Sequence, residues 1–481
     1  MTLGSISRPL LGAFLVLLLA APGCGLPEPV VGEASASDAP GPSERTLEAR
    51  AKLPRGKPRD FGPAPALMTG ALAEEVADAV DTAFGSNLED GAWRQEHIDA
   101  LRTIAKTHDP RLAWLLADLM RISADPGLSN LLGTVANDLL QVQLDARNPW
   151  SDLTDRLIAW KVPAPPGYLP VKRRIFTLVV PEWERIFQPG EIDWRLVTWG
   201  GVRIDDRPFG KTDRPCNCIP AADDPPVTDV AGAKWLRDSD VVFGIGIGDE
   251  FRAYPRRIME VREMVNDTLG GRHLGIPYCT LCGSAQAYFT DRVPRGIKRP
   301  VLRTSGLLIR SNKVMYDLES HSVFDTFKGN AVTGDLARRR VVLPQASVVT
   351  TTWGEWKQAH PQTTVLTEGL ALGRDFDFRN GRDAQGPIFP IGDADPRLPV
   401  QEDIVGAIAA DGTPVAFHLA SARAALERGE RVEFKALRLV LDGGGVRVVG
   451  RGGRDVGSHQ AFWFAWSQFH PTTLLWPEEG A

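Results

Sequence analysis

Trp353-Gly-Glu-Trp356-Lys-Gln358-Ala-His360-Pro361-Gln-Thr363 returns later in the chain as Trp463-Phe-Ala-Trp466-Ser-Gln468-Phe-His470-Pro471-Thr-Thr473, with six identities and no gap. Self-similarity of this kind is the signature of a repeated unit. Upstream, Val242-Phe-Gly244, Asp249 and Ala253-Tyr254 are echoed by Ile404-Val-Gly406, Asp411 and Ala416-Phe417. The repeat predicts an α+β body of two related β-rich copies with short helices, the units lying at about 225–370 and 395–481. As domains they divide the body into 149–394 and a shorter, degenerate second copy at 395–481 without cysteine. Tryptophans three apart on a helix share one face, so both Trp-x-x-Trp segments are expected in the core. His360-Pro361 and His470-Pro471 read as matching turns with a structural role, because both copies carry them.

Around the first copy the texture is strand and turn. Val241–Ile247 reads as a strand, Gly248-Asp249 as a turn and Glu250–Tyr254 as the return strand. Ile258, Val261 and Val265 predict a helix that stops at Asn266–Gly271, followed by strands over His273–Tyr278 and Ala285–Thr290. Ahead of the body, residues 66–148 form a helical segment. Leu72, Val76, Ala79, Val80 and Phe84, then Ile98, Leu101 and Ile104, then Leu112, Leu115, Leu116 and Leu119, recur at helical spacing. Asp109-Pro110 is an N-cap followed by a favoured first helical residue. The run His108–Arg121 resembles one unit of a HEAT-type repeat, and a small helical bundle explains it equally well. His97 and His108 are read as surface or cap residues.

The first residues read as an address. Arg8 precedes an apolar run, Leu10–Ala21, too short to span a bilayer, which takes about 20 residues. Ala21-Pro22-Gly23 before Cys24 fits a bacterial lipoprotein signal over residues 1–23, with Cys24 lipidated. An ordinary secretory peptide and a retained anchor are the alternatives. Residues 24–65 read as a lipid-anchored disordered tether, with eight prolines from residue 25 onward and no apolar periodicity. The protein is thus expected to be exported and held to a membrane of the cell envelope by its N-terminal lipid. A hydrophobic content of 43% supports real cores, a formal net charge of −5 excludes a global polyanion binder such as a nucleic-acid protein, and five cysteines exclude a disulfide-dense scaffold.

Chemistry, where the sequence suggests any, gathers at Tyr278-Cys279-Thr-Leu-Cys282-Gly283. The pair sits between strands, not at a helix start, so the setting resembles a metal knuckle more than a thioredoxin-type motif. Cys216 and Cys218 could complete a four-sulfur site for zinc or another transition metal, with His273 a further candidate. In an exported chain disulfides compete, either Cys279–Cys282 or a bridge from Cys216 or Cys218 to that pair. Tyr254, Glu263, Asn266, Asp267, Ser305 and Tyr316 are the polar residues expected to share a pocket with Cys279 and Cys282. The plainer reading makes Asn266-Asp267 a helix cap and Ser311-Asn312 a turn.

Phe251-Arg-Ala253-Tyr254-Pro255, Val265-Asn266-Asp267-Thr268-Leu-Gly270-Gly271, Tyr278–Gly283, Ser305-Gly306-Leu and Met315-Tyr316-Asp317 follow one another in order. So do Trp199-Gly-Gly-Val202, Ile219-Pro220, Asp223-Asp224, and the closing Phe462–Trp466 with His470-Pro471. Together, over roughly 165–476, they resemble the domain-of-unknown-function family 3179, largely exported bacterial and archaeal proteins. The resemblance implies no established activity. It also marks departures: Val261-Arg262-Glu263 stands where the family has Trp-His-Glu, and Thr280 where it has proline. Cys216 and Cys218 fall where relatives lack cysteine, which favours a local disulfide over an inherited four-cysteine metal site. The resulting expectation is an exported lipoprotein with a binding or catalytic pocket around Cys279 and Cys282. A thiol–disulfide or metal-dependent enzyme and a purely structural or assembly lipoprotein are the alternatives.

Overall fold

A computed structural model describes residues 53–91, 93–212, 216–367 and 386–477. Residues 1–52, on which the expected signal segment, Cys24 and most of the expected tether fall, lie outside the described residues. The last part of the segment read as tether is laid against the body. Arg59 reaches Asp155 at 2.7 Å, Gly56 N–H donates to the Pro396 carbonyl, and Arg156 and Trp160 bond to the carbonyls of Phe61 and Gly62.

Helices occupy Glu74–Ala83, Asn87–Asp90, Gln95–Lys106, Ala113–Ile122 and Pro126–Leu140, and continue through Pro149–Ala159 and Tyr168–Thr177. Asp109, Asp125 and Asn148 each cap a helix that begins with proline, their side chains accepting the N–H two or three residues on. The apolar faces of these helices meet in one core, to which Leu307, Val314, Tyr316 and Val323 of the β-body also contribute. Among the described residues no helix is long and apolar enough to cross a membrane.

The body corrects the expectation of two related copies. It is β-rich, with its strands in five sheets disposed as the blades of a five-bladed β-propeller. The first sheet runs Val197–Trp199, Leu302–Ile309, Asn312–Asp317, Val323–Phe324. The second runs Gln345–Ala346, Ala287–Phe289, Arg272–Cys279, Met264–Leu269, Ala222–Asp223, with Ser284–Ala285 off its path. The third runs Val349–Thr352, Val241–Ile247, Glu250–Pro255, Thr364–Leu366, Val227–Thr228. The fourth runs His459–Phe462, Asp403–Ile408, Pro414–His418, Leu474–Trp476, and the fifth Glu433–Phe434, Leu437–Asp442, Gly445–Val449. The repeated sequence therefore marks two blades, the third and fourth, and not two halves. In each, a strand pairs antiparallel with the central hairpin, a seven-residue helix follows, and the chain returns parallel to the hairpin's second strand. The fifth sheet and most of the first and second are built from segments threaded between those strands, while Val197–Trp199 and Ala222–Asp223 precede them, and the repeat leaves no trace in these three sheets.

The helices Trp353–Ala359 and Trp463–Phe469 bury all four repeat tryptophans, each at most 1% exposed. Trp356 lies on Gly244 and Trp466 on Gly406, so closely that a Cβ would come within 2.3 and 2.2 Å of the rings. Their indole N–H groups donate to Thr363 and Thr473. The predicted helix through Val265 ends earlier: it spans Arg256–Arg262, and Met264–Leu269 is a strand of the second sheet. Glu263 makes the break, with φ +49°.

Candidate functional site: a buried dithiol beside Lys313

Cys279 closes the strand Arg272–Cys279, opposite Ser284 in register. A single 3₁₀ turn, Thr280–Cys282, follows, and Gly283 reverses the chain at φ +58°. That left-handed conformation suits glycine, and a side chain there would press on Phe462. Facing the turn is the hairpin loop Arg310-Ser311, both residues at positive φ, as a two-residue type I′ connection between Ile309 and Asn312 requires. Neither residue is the favoured Asn or Gly, so the loop carries backbone strain. It delivers the Ser311 carbonyl to both sulfurs, at 3.8 Å from Cys279 Sγ and 3.5 Å from Cys282 Sγ.

Both cysteines are free thiols, 2% and 0% exposed, packed with Phe462, Trp463 and Phe327. Lys313, itself buried, enters from the first sheet. Its ammonium donates to the backbone carbonyls of Glu263 and Tyr278, the latter at 3.1 Å, and pairs with Glu263 Oε2 at 3.1 Å. Thr280 Oγ1 donates to Glu263 Oε1 at 3.4 Å. Burial alone would push the Cys279 thiol up. The hydrogen bond from Cys282 and the Lys313 ammonium outweigh both burial and the Glu263 carboxylate, and hold Cys279 below the ordinary thiol value. Cys282 is pushed well above it, first by burial and then by Cys279. The pair is thus polarised into one acidic and one reluctant thiol. Around it, Ser284 Oγ, Ser311 Oγ and both polar atoms of Asn312 are buried without a hydrogen-bond partner among the described residues.

Of the polar residues expected with the thiols, Glu263 is drawn to them through Lys313 and Thr280. The others make their bonds elsewhere. Asp267 takes Arg252 at 2.6 and 2.7 Å and Tyr254 Oη at 2.7 Å, with burial and the carboxylate raising the Tyr254 phenol. Asn266 joins Asp223 at 2.9 Å and both backbone groups of Leu302, tying the second sheet to the first. Ser305 Oγ donates to the Val314 carbonyl and Tyr316 Oη to the Asp205 carbonyl. Asn266 and Asp267 sit within a strand, so neither caps a helix. Arg262 is directed to the carbonyls of Pro220 and Ala221, and His273 to Thr268. Cys216 and Cys218 are joined to each other by a disulfide, so no bridge runs from them to the later pair. Lys313 and the Ser311 carbonyl are the members the sequence reading missed. The signal for Lys313 was a cation at the head of the apolar run Val314, Met315 and Tyr316.

Residues 216–452 match the family model DUF3179, described as a protein of unknown function. This stretch belongs to the DUF3179 family. Cys279, Cys282, Glu263 and Lys313 all fall inside the DUF3179 match. No curated protein and no solved structure matches the chain.

Proposed function

We propose that the protein is an exported, lipid-anchored envelope protein whose DUF3179 domain works through the Cys279/Cys282 dithiol, as a thiol–disulfide couple. The observation that carries the reading is a pair of free thiols in one 3₁₀ turn, both within reach of the Ser311 carbonyl and set beside the buried Lys313–Glu263 ion pair. In this chemistry the Cys279 thiolate attacks one sulfur of a substrate disulfide and releases the first substrate thiol. Cys282 then gives up its proton, attacks Cys279 in the mixed disulfide, and releases the second. One disulfide is consumed, one is formed, and two electrons pass to the substrate. Sulfurs this buried exchange through local opening of the Thr280–Cys282 turn. The chain meets an oxidising compartment in this reading, and its membrane contact is the lipid on Cys24.

The purely structural reading draws on the near-complete burial of both sulfurs. The test is to poise the folded protein in glutathione buffers of graded potential, quench with an alkylating agent and map the products by mass spectrometry. A reversible Cys279–Cys282 disulfide, lost in Cys279→Ser, is the expected outcome. Thiols that stay reduced at every potential and label only after unfolding would leave them as packing. Lipidation is checked separately, by metabolic labelling of wild type against Cys24→Ala.

A further inference from the structure

Cys216 and Cys218 lie on a segment that runs beside Arg203 and Asp205. Arg203 and Cys218 form a parallel bridge, and Arg203 N–H donates to the Asn217 carbonyl at 2.9 Å. Asp205 N–H is fixed on the Thr304 carbonyl at 3.0 Å, and Thr304 Oγ1 donates to the Ile219 carbonyl at 2.7 Å. These bonds bring three donors together: a carboxylate oxygen of Asp205 and the two cysteine sulfurs lie within 4.8 Å of one another. Among the described residues, no other group of three histidine, cysteine or carboxylate side chains converges in this way. Asp205 and Cys218 are buried, while Cys216 is half-buried, so the group has one open side.

We propose that this group is a redox-gated metal site: once the Cys216–Cys218 disulfide is reduced, the two thiolates and the Asp205 carboxylate take a thiophilic divalent cation of the zinc or cadmium class. In the disulfide form the sulfurs carry no charge and are poor ligands. A dithiol or phosphine reductant supplies two electrons: the S–S bond breaks and two thiols form, with protons from the dithiol, which leaves as its disulfide, or from a water whose oxygen the phosphine takes as it leaves as phosphine oxide. Binding the cation then releases the two thiol protons. Three protein ligands leave the fourth tetrahedral position to water on the open Cys216 side.

The surroundings fit this charge. Asp205 Oδ2 accepts from Arg207 and from Ala221 N–H, both at 2.8 Å, whereas Oδ1 accepts one short bond, from Arg207 Nε at 2.7 Å, and one long one, from Arg207 N–H at 3.4 Å. The long bond to Oδ1 is the one a metal would displace. Two thiolates and a carboxylate bring one negative charge more than a dication neutralises. The Arg207 guanidinium, with Arg303 Nε at 4.0 Å from Asp205, offsets it. The site is independent of the Cys279/Cys282 reading, which can fail without affecting it.

The test uses the full chain, air-oxidised or reduced with a phosphine that is then removed, titrated with cadmium ion. The readout is the thiolate-to-cadmium charge-transfer band together with metal content after desalting. Reduced wild type is expected to hold one ion through Cys216 and Cys218 with the band, and the oxidised form none there. Cys216→Ser and Cys218→Ser each lose that band, and Asp205→Asn weakens binding while keeping it. The cysteine variants spare the carboxylate and its arginine, so they test the site even where Asp205→Asn does not fold. Equal binding by the oxidised form, no binding by the reduced form, or undiminished binding in both cysteine variants would overturn the proposal, the last by placing the ion at Cys279 and Cys282.

Discussion

Lys313 is the residue whose positive charge bears on the dithiol from outside it. A buried ammonium is costly to desolvate, and here two carbonyls and the Glu263 carboxylate offset that cost. Its charge also favours a thiolate on Cys279, after the larger effect of the hydrogen bond from Cys282. Lys313→Met keeps the stem and removes the charge. The Cys279 thiol should then titrate higher, each unit cutting the thiolate fraction at neutral pH about tenfold. Alkylation of Cys279 followed by peptide mass spectrometry across pH checks this, and an unmoved midpoint would remove Lys313 from the account. The same variant strands Glu263 in the interior, a loss of about 3–5 kcal/mol in urea unfolding. Adding Glu263→Gln should restore much of it, which separates the stability effect from the titration effect. The residue identities at the turn were legible in the sequence, because Cys-x-x-Cys-Gly between strands dictates a tight corner. The ion pair was not, since Glu263 and Lys313 are far apart in the chain and meet only when the first and second sheets pack.

The element scale shows what the repeat specifies. In both repeat blades a glycine in the central strand admits an indole from the helix that follows the edge strand. Gly244→Ala and Gly406→Ala should therefore each destabilise the protein by overpacking, by about 1–3 kcal/mol or more. Trp466→Ala should cost about 3–5 kcal/mol through the cavity it leaves. Paired urea titrations check both, and a neutral Gly406→Ala would mean that the ring has room to move. The hairpin Val241–Pro255 was legible because alternation and a Gly-Asp turn agree there. The helix boundary was not: Val265 continues the helical period of Ile258 and Val261, yet it sits in a strand whose six residues are all buried except Thr268. A strand buried on both faces shows no alternation, and short apolar runs do not distinguish strand from helix.

For the whole molecule, five sheets escaped a sequence reading that found two units, because the first and second draw short strands from distant parts of the chain, the fifth is a short local meander, and none of the three carries the repeat motif. The contacts between sheets are where whole-molecule stability responds to solution conditions. His459, on the fourth sheet, faces Gln345 Nε2 at 2.8 Å and Gln286 Nε2 at 3.3 Å, both from the second. His470 lies nearby, stacked obliquely on Trp466, with a ring nitrogen that has no partner among the described residues. Burial lowers both imidazoles to about 3, helped for His459 by His470 and for His470 by Lys328. The folded protein keeps them neutral where the unfolded chain, with its ordinary value near 6.5, takes up protons. The unfolded state thus binds more protons between about pH 6.5 and 3, and stability must fall as pH falls through that window. Asp325, raised by burial, acts in the opposite sense because the native state accepts its proton first. The histidine contribution is therefore best read as a difference between two proteins. His470→Gln removes one titrating group, so between pH 6.5 and 4.5 its unfolding free energy should decline less steeply than that of wild type, by roughly 1.4 kcal/mol per pH unit. Parallel slopes for the two proteins over that range would show that His470 is already charged in the folded state, and that the joint between the second and fourth sheets admits water.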